Sequence, residues 1–234
     1  MGDEVAMIPR WLGRFVIGVT VLGGLIANAG APSATARSLE QWLDEWYPEA
    51  GNRQQGKGLI EFTLDTHGGE GHRRYGAIAM LRFSPEQVTG ALKAVDAYEE
   101  WVPDAIEARL VERLSPNRWI LYNATDVSWP YRDRQSLIEM RWTPFREDGW
   151  RLRFELREDP DFQWRPKRVK VQSTKGAWTV MPMADQRCVV SYLIQIDVGG
   201  GIPGFLAEAF VSGIPAKNLQ ALAAYLDGEP TAMT

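Results

Sequence analysis

The sequence predicts an α+β fold in which a curved antiparallel sheet wraps around a C-terminal helix and encloses an apolar space. Three observations carry that expectation. An apolar, β-branched run at 189–197 gives way to Val198-Gly199-Gly200-Gly201-Ile202-Pro203-Gly204 and then to a helical pattern. Valine and isoleucine favour the pleated, half-buried surface of a strand; glycine lets the backbone reverse, and the fixed φ of Pro203 suits an early helical position. Leu206, Phe210, Ile214, Leu219, Leu222 and Leu226 then form an apolar stripe that must lie against a partner. Arg151 to Arg157 alternates strictly, turning Leu152, Phe154 and Leu156 to a covered face and the charges to water, as in an antiparallel sheet with one covered side. Finally, the order of elements is helix, two strands, helix, a long antiparallel run and a closing helix.

The elements follow from local chemistry. At 38–47, Leu39, Trp42, Leu43, Trp46 and Tyr47 share one helical face, Ser38 with Gln41 forms a capping-box pattern, and Pro48 and Gly51 stop the helix. Strands are expected at 59–64 and 74–83, joined by a glycine-rich loop containing His67, Glu70 and His72. Ser84-Pro85-Glu86-Gln87 opens the next helix, with Val88, Ala91, Leu92 and Val95 facing inward and Trp101-Val102-Pro103 ending the pattern. Strands then occupy 106–114, 118–124, 137–144 and 150–158. A hairpin of 169–173 and 177–181 turns at Thr174-Lys175-Gly176, and the last strand is 188–197. Pro215 removes a backbone donor, so the closing helix is expected to kink or break near 212–215.

The chain has 234 residues, enough for one domain plus an extension. Its formal net charge of −4 gives no overall basic field, so nucleic acid is not an expected partner. Hydrophobic residues make up 45 %, enough for a real core. Residues 1–36 read as a signal peptide: Arg10 and Arg14 precede an apolar run from Phe15 to Ile26, then small residues with Ala-x-Ala sites at Ala27-Asn28-Ala29 and Ala34-Thr35-Ala36. The alternative is an uncleaved anchor spanning 15–36. The first reading makes residues 37–234 an exported domain, periplasmic or secreted. Cys188 is the only cysteine, so an internal disulfide is excluded, and its valine neighbours mark it as a buried side chain.

Nothing in the chain commits it to catalysis. His67 and His72 lie in a glycine loop without a third fixed ligand, which reads as a solvated hairpin rather than a metal site. No nucleophile elbow or Walker lysine occurs, so the expected list of catalytic residues, metals and cofactors is empty. Arg165, Lys167, Arg168, Lys170 and Lys175 concentrate positive charge in an acidic protein. They read first as a solvated strand face, and alternatively as a surface for transient contact with an anionic membrane.

Trp129-Pro130, a short spacer and Asp133-Arg134 resemble the segment with which the START lipid-transfer domain family enters a strand. Gln135 stands where a second acid is usual and Ser136 where an aromatic is usual. Val190-Ser191-Tyr192, Asp197-Val198-Gly199-Gly200 and Ile202-Pro203 resemble that family's strand, turn and helix start, with Val198 in place of proline. The resemblance runs from about Leu39 to Leu226. It implies a helix-grip fold enclosing a cavity for a sterol, phospholipid or other lipid, in a monomeric binding or transfer protein. Some members hold a buried acid–arginine pair; Glu139 and Arg141 are the nearest candidates, although alternation with Ile138, Met140 and Trp142 turns them to solvent. Asp133 and Arg134 are expected to form a paired structural turn. Candidate ligand-binding residues are Tyr122, Met140, Phe154, Trp178, Tyr192, Leu206 and Phe210, taken from inward alternation or the closing helix face, with ordinary core as the alternative for each. A polyketide cyclase of the helix-grip type is the alternative function.

Overall fold

Two serines open the first two helices. The computed structural model describes residues 37–65 and 73–228; the expected leader at 1–36 and the loop histidines lie outside these. In α1 (Leu39–Trp46) the Ser38 hydroxyl accepts from the Gln41 backbone while the Ser38 N–H donates to the Gln41 side chain, and in α2 (Pro85–Lys93) Ser84 and Gln87 repeat that reciprocal box. Each box satisfies two donors that the first helical turn leaves without partners. A 3₁₀ turn, Val95–Ala97, leads from α2 into the single-turn α3 (Tyr98–Trp101).

The strands are β1 (Gly51–Gly56), β2 (Leu59–Leu64), β3 (Arg74–Leu81), β4 (Ala105–Ser115), β5 (Arg118–Thr125), β6 (Arg134–Phe145), β7 (Gly149–Leu156), β8 (Val169–Lys170), β9 (Ser173–Met183) and β10 (Arg187–Asp197). They form one curved sheet in the order β1-β2-β3-β10-β9-β7-β6-β5-β4, which does not close on itself, and β8 adds a short parallel contact to β6. The last described helices are α4 (Gly204–Ser212) and α5 (Ile214–Leu226), separated at Gly213, with Pro215 in the first turn of α5. No described helix is long and apolar enough to cross a membrane.

Two expectations need correction. The hairpin at 169–181 does not form: Thr174, Lys175 and Gly176 are interior to β9 and pair with Ile196, Gln195 and Ile194 of β10. A neighbouring strand supplies the ladder, which overrides the turn chemistry of Lys-Gly. The all-exposed edge strand β1 was absent from the expectation because Gly51-Asn52-Arg53-Gln54-Gln55-Gly56 has no apolar alternation to betray it.

The sheet has two unlike faces. On the inner face α2, α3 and α5 pack over Ala77, Ala79, Met140, Trp142, Leu152, Val180 and Val190. On the outer face Leu43 and Trp46 of α1, with Tyr47 at its C-terminal cap, pack over Ile60, Phe62, Ile78, Val189 and Leu193. Farther across the same outer face, Phe162 and Trp164 cover Ile120, Tyr122 and Leu137. Phenylalanine lies over glycine at two cross-strand pairs, Phe62 with Gly76 and Phe154 with Gly176. A Cβ on Gly76 would sit 2.3 Å from the Phe62 ring, and one on Gly176 would sit 2.1 Å from the Leu193 carbonyl and 2.4 Å from the Phe154 ring. The backbone contact at Gly176 leaves no flexible atom to yield. Gly176→Ala is therefore expected to cost about 1–3 kcal/mol by overpacking, read as a lower urea midpoint with an unchanged slope.

Candidate functional site

The inner face and the helices above it leave a cavity of about 440 Å³, a size typical of small-molecule sites. Its sheet wall is built from Ile138 and Met140 of β6, Phe154 of β7, Trp178 of β9 and Tyr192 of β10, while Phe210, Val211, Ile214 and Asn218 descend from α4 and α5. Trp178 and Tyr192 stack at 4.2 Å between ring centroids, Phe154 tilts against Tyr192 at 5.8 Å, and Trp101 meets Trp178 edge-on at 6.2 Å. Strand alternation turns these rings to one face, and cross-strand neighbours such as Tyr192 and Trp178 bring them into contact.

A few polar groups interrupt the apolar wall. Asn123 and Ser136 face each other across β5 and β6, and both line the cavity. Asn218 is buried on α5; its amide N–H donates to the Ile214 carbonyl, which leaves its own oxygen as an acceptor. Tyr192 is buried on this wall, and burial pushes the pKa of its hydroxyl upward. Tyr98 is shifted the same way by burial, but its hydroxyl is satisfied by the Leu92 carbonyl at 2.6 Å. Asn123 belongs to the Asn-Ala-Thr glycosylation sequon; its inward position makes it a wall residue instead of an accessible acceptor.

Arg134 ties the cavity mouth together. Its guanidinium donates to the carbonyls of Val198 (3.2 Å), Gly199 (2.9 Å) and Arg132, so the strand entrance of β6 is stitched to the turn that launches α4. Gly199, Gly200 and Gly201 all have left-handed φ, between 62° and 72°, where a side chain is strained. A Cβ on Gly200 would also approach the Arg134 guanidinium to 2.9 Å. Burial, followed by the neighbouring Arg132, lowers the Arg134 pKa from its ordinary value. The expected Asp133–Arg134 pairing is thus replaced by an arginine clamp on backbone carbonyls.

Of the seven candidate ligand-binding residues, Met140, Phe154, Trp178, Tyr192 and Phe210 stand on the cavity wall. Tyr122 does not. Leu121 and Asn123 take the inward positions on β5, which sends Tyr122 to the outer face, where it stacks on Phe162 at 5.5 Å and its hydroxyl donates to Gln135 at 3.0 Å. The alternation was sound and its parity was misassigned. Leu206 is half-buried on α4 and lies outside the cavity lining; Val211 and Ile214 fill that role. Asn123, Ser136 and Asn218 were missed because polar residues carry no weight in a search for apolar periodicity.

Glu139 faces outward as alternation requires, yet it is buried under three arginines: Arg118 at 2.5 Å, Arg141 at 3.2 Å and Arg157 at 3.3 Å. The acid–arginine cluster is real and lies outside the cavity. Gln135, where an acid was expected by resemblance, accepts from Tyr122 and the Arg165 backbone while donating to the carbonyls of Arg165 and Arg168. An amide supplies both roles; a carboxylate would only accept. Of the basic cluster, Arg165 and Arg168 bind Glu107, and Lys170 lies over the Trp164 ring at 4.3 Å.

The Arg118 hydrogen bond holds the Glu139 pKa down to about 2, against the opposing effect of burial. Because the folded value is depressed, the stabilisation is fully present above the unfolded value of 4.5 and is lost as pH falls from there toward 2. With the arginines partly screened by water, Glu139→Gln should cost about 1–2 kcal/mol at pH 7 and little at pH 2. Urea unfolding at the two pH values measures the difference.

No family model matches the sequence. An uncharacterised Pseudomonas aeruginosa protein is 24 % identical over 164 residues, covering 70 % of this chain and 80 % of its own length. Human START domain-containing protein 10 is 22 % identical over 123 residues; the match spans 53 % of this chain and only 42 % of that protein. Among solved structures, a STAR-related lipid transfer protein fragment from Xanthomonas axonopodis superposes with a TM-score of 0.69 at 23 % identity, over 76 % of this chain and 99 % of that one. Human StAR-related lipid transfer protein 5 superposes with a TM-score of 0.71 at 11 % identity, over 81 % and 92 % of the two chains. A Streptomyces aromatase/cyclase reaches 0.52 at 13 % identity, over 66 % and 93 %. The chain therefore has the helix-grip fold of the START lipid-transfer domains.

Proposed function

We propose that this START-fold chain binds a hydrophobic ligand between the inner sheet face and the α4–α5 pair, and carries it across an aqueous compartment. The observation that supports this reading best is the aromatic-walled cavity of 440 Å³ with a few polar groups on its wall. Removing ligand surface from water there gives about 25 cal/mol per Å² before ordering costs, and Asn123, Ser136 and Asn218 fix which end of the ligand lies deepest. Sterols, phospholipids and other lipids are the class considered; lipid-transfer neighbours of the same fold support it.

Access is through α4. This helix is apolar on nearly every side, with Phe205 and Phe210 exposed, and it meets α5 at a break instead of continuing into it. In this reading the segment from Gly199 to Pro215 swings on its two glycine-containing ends, and the exposed rings touch the membrane from which ligand is drawn. Export, with cleavage of residues 1–36, belongs to the same proposal; an intact N-terminus on the mature protein would exclude it.

Gentle purification, solvent extraction and mass spectrometry test the central claim, with a stoichiometric lipid as the expected result. An empty protein that binds nothing in a lipid panel sinks the carrier. Met140→Trp, which fills the wall, should reduce bound lipid about tenfold or more while the circular dichroism spectrum is retained. Lipid should also slow hydrogen exchange selectively across 199–215, and uniform protection with and without lipid would remove the gate. The second reading, a cyclase, rests on the aromatase/cyclase neighbour. It requires a positioned acid or base in the cavity, and turnover of an aromatic polyketide by purified protein would promote it.

A further inference from the structure

A second depression, of about 610 Å³, lies on the outer face of the sheet, reached by Trp46, Tyr47 and Pro48 at the end of α1. Its wall carries Arg74 of β3, Arg141 of β6, Arg151 and Arg153 of β7, and Lys175 of β9. Three carboxylates accompany these five cations: Glu139, Glu49 and Glu155. Glu139 is already consumed by Arg118, Arg141 and Arg157. Arg74, Arg151, Arg153 and Lys175 have no carboxylate within ion-pair distance among the described residues, and two positive charges remain in excess.

The arrangement is costly as bare scaffold. Arg118, Arg141 and Arg153 stand opposite one another on adjacent strands β5, β6 and β7, and like charges in such positions destabilise a sheet. Glu139 relieves the first two and leaves Arg153 uncompensated. Arg151 is held in place by a hydrogen bond from its Nε to Thr179 Oγ1 at 3.1 Å and by the Phe145 ring 3.9 Å beneath its guanidinium. Burial, and beyond it the positive charge of Arg153 and Arg146, lowers its pKa, while Tyr47 acts in the opposite sense. The Arg74 Nε is buried without a partner. Arg151 is thus a donor fixed in place and Arg74 an unsatisfied one, both beside an open space with an apolar flank of Trp46, Leu64 and Leu193.

We propose that this outer groove binds an organic phosphate monoester. Guanidinium forks match phosphate oxygens in pairs, a dianion cancels the excess charge, and the carbon body of the ligand lies on the apolar flank. The phosphate can be that of a soluble metabolite or of a lipid headgroup such as phosphatidic acid. Neither source uses the inner cavity, so the site stands whether or not the carrier reading does.

The test is titration calorimetry of the full protein with phenyl phosphate, alongside co-sedimentation with phosphatidylcholine vesicles with and without phosphatidic acid. Binding of phenyl phosphate that weakens about tenfold or more in Arg153→Gln and Lys175→Gln, but not in the distant control Arg113→Gln, supports the site with a soluble ligand. Binding seen only with phosphatidic acid vesicles, and lost in the same two variants, supports it with a headgroup ligand. Failure to bind either probe, or binding indifferent to Arg153, overturns it. Thermal unfolding adds a reading independent of affinity: Arg153→Gln should unfold at the same or a higher temperature, because it removes a like charge standing opposite Arg141 in the β6–β7 register. A clear fall in melting temperature would show that the arginine is there for stability, against the proposal.

Discussion

Strand β10 is covered on both faces, and the rest of the molecule is arranged by that constraint. Cys188, Val190, Tyr192 and Ile194 meet the inner core, while Val189 and Leu193 meet the core under α1. Between them Ser191, fully buried, exchanges a hydrogen bond of 2.9 Å with the Tyr47 hydroxyl. Strands β3 and β9 take up its backbone groups on either side. A strand so enclosed cannot slip by one residue without driving an entire set of side chains into the wrong core. Its register in turn fixes where the chain leaves the sheet at Asp197, and so where the glycine turn and α4 can begin.

The same alternation divides the labour of the two faces. Inward residues build an aromatic wall interrupted by a few amides and hydroxyls; outward residues build two apolar patches, covered by α1 and by Phe162 and Trp164, alongside an arginine-lined depression. Arg134 joins the two systems at the mouth. Two of its carbonyl partners, Val198 and Gly199, belong to the turn before α4, so the position of the helix over the cavity depends on a side chain from the start of β6, more than 60 residues earlier in the chain.

Most of the architecture was legible because it rests on period and punctuation. The capping box at Ser38, the helix start at Ser84-Pro85, the break near Pro215 and the strand that precedes the glycine turn are local signals, and each is realised in place. What escaped depends on information that a strand does not carry alone. Parity is one case: alternation separates Tyr122 from Leu121 without saying which is inside, and only the packing of Phe162 on one face decides it. Continuity is another, since Thr174-Lys175-Gly176 looks like a turn until β10 lies beside it. The polar members of the cavity wall escaped for a third reason. Asn123 and Ser136 become neighbours through the pairing of β5 with β6, a relation absent from either segment.

An open sheet leaves two strand edges facing water, and both are unsuitable for templating another chain. β1 carries Arg53 and a left-handed Asn52, and its pairing with β2 shifts register between Gly51 and Gln54. β4 presents Glu107, Arg109, Glu112 and Arg113, and its pairing with β5 shifts three times. Charges and irregular register together blunt edge-to-edge association. Edge-to-edge pairing is thereby disfavoured, and the large apolar side chains left exposed are dispersed over α4 (Phe205, Phe210), the loop at Trp129, β7 (Trp150) and β4 itself (Ile106, Leu110, Val111) instead of forming one strand-shaped template.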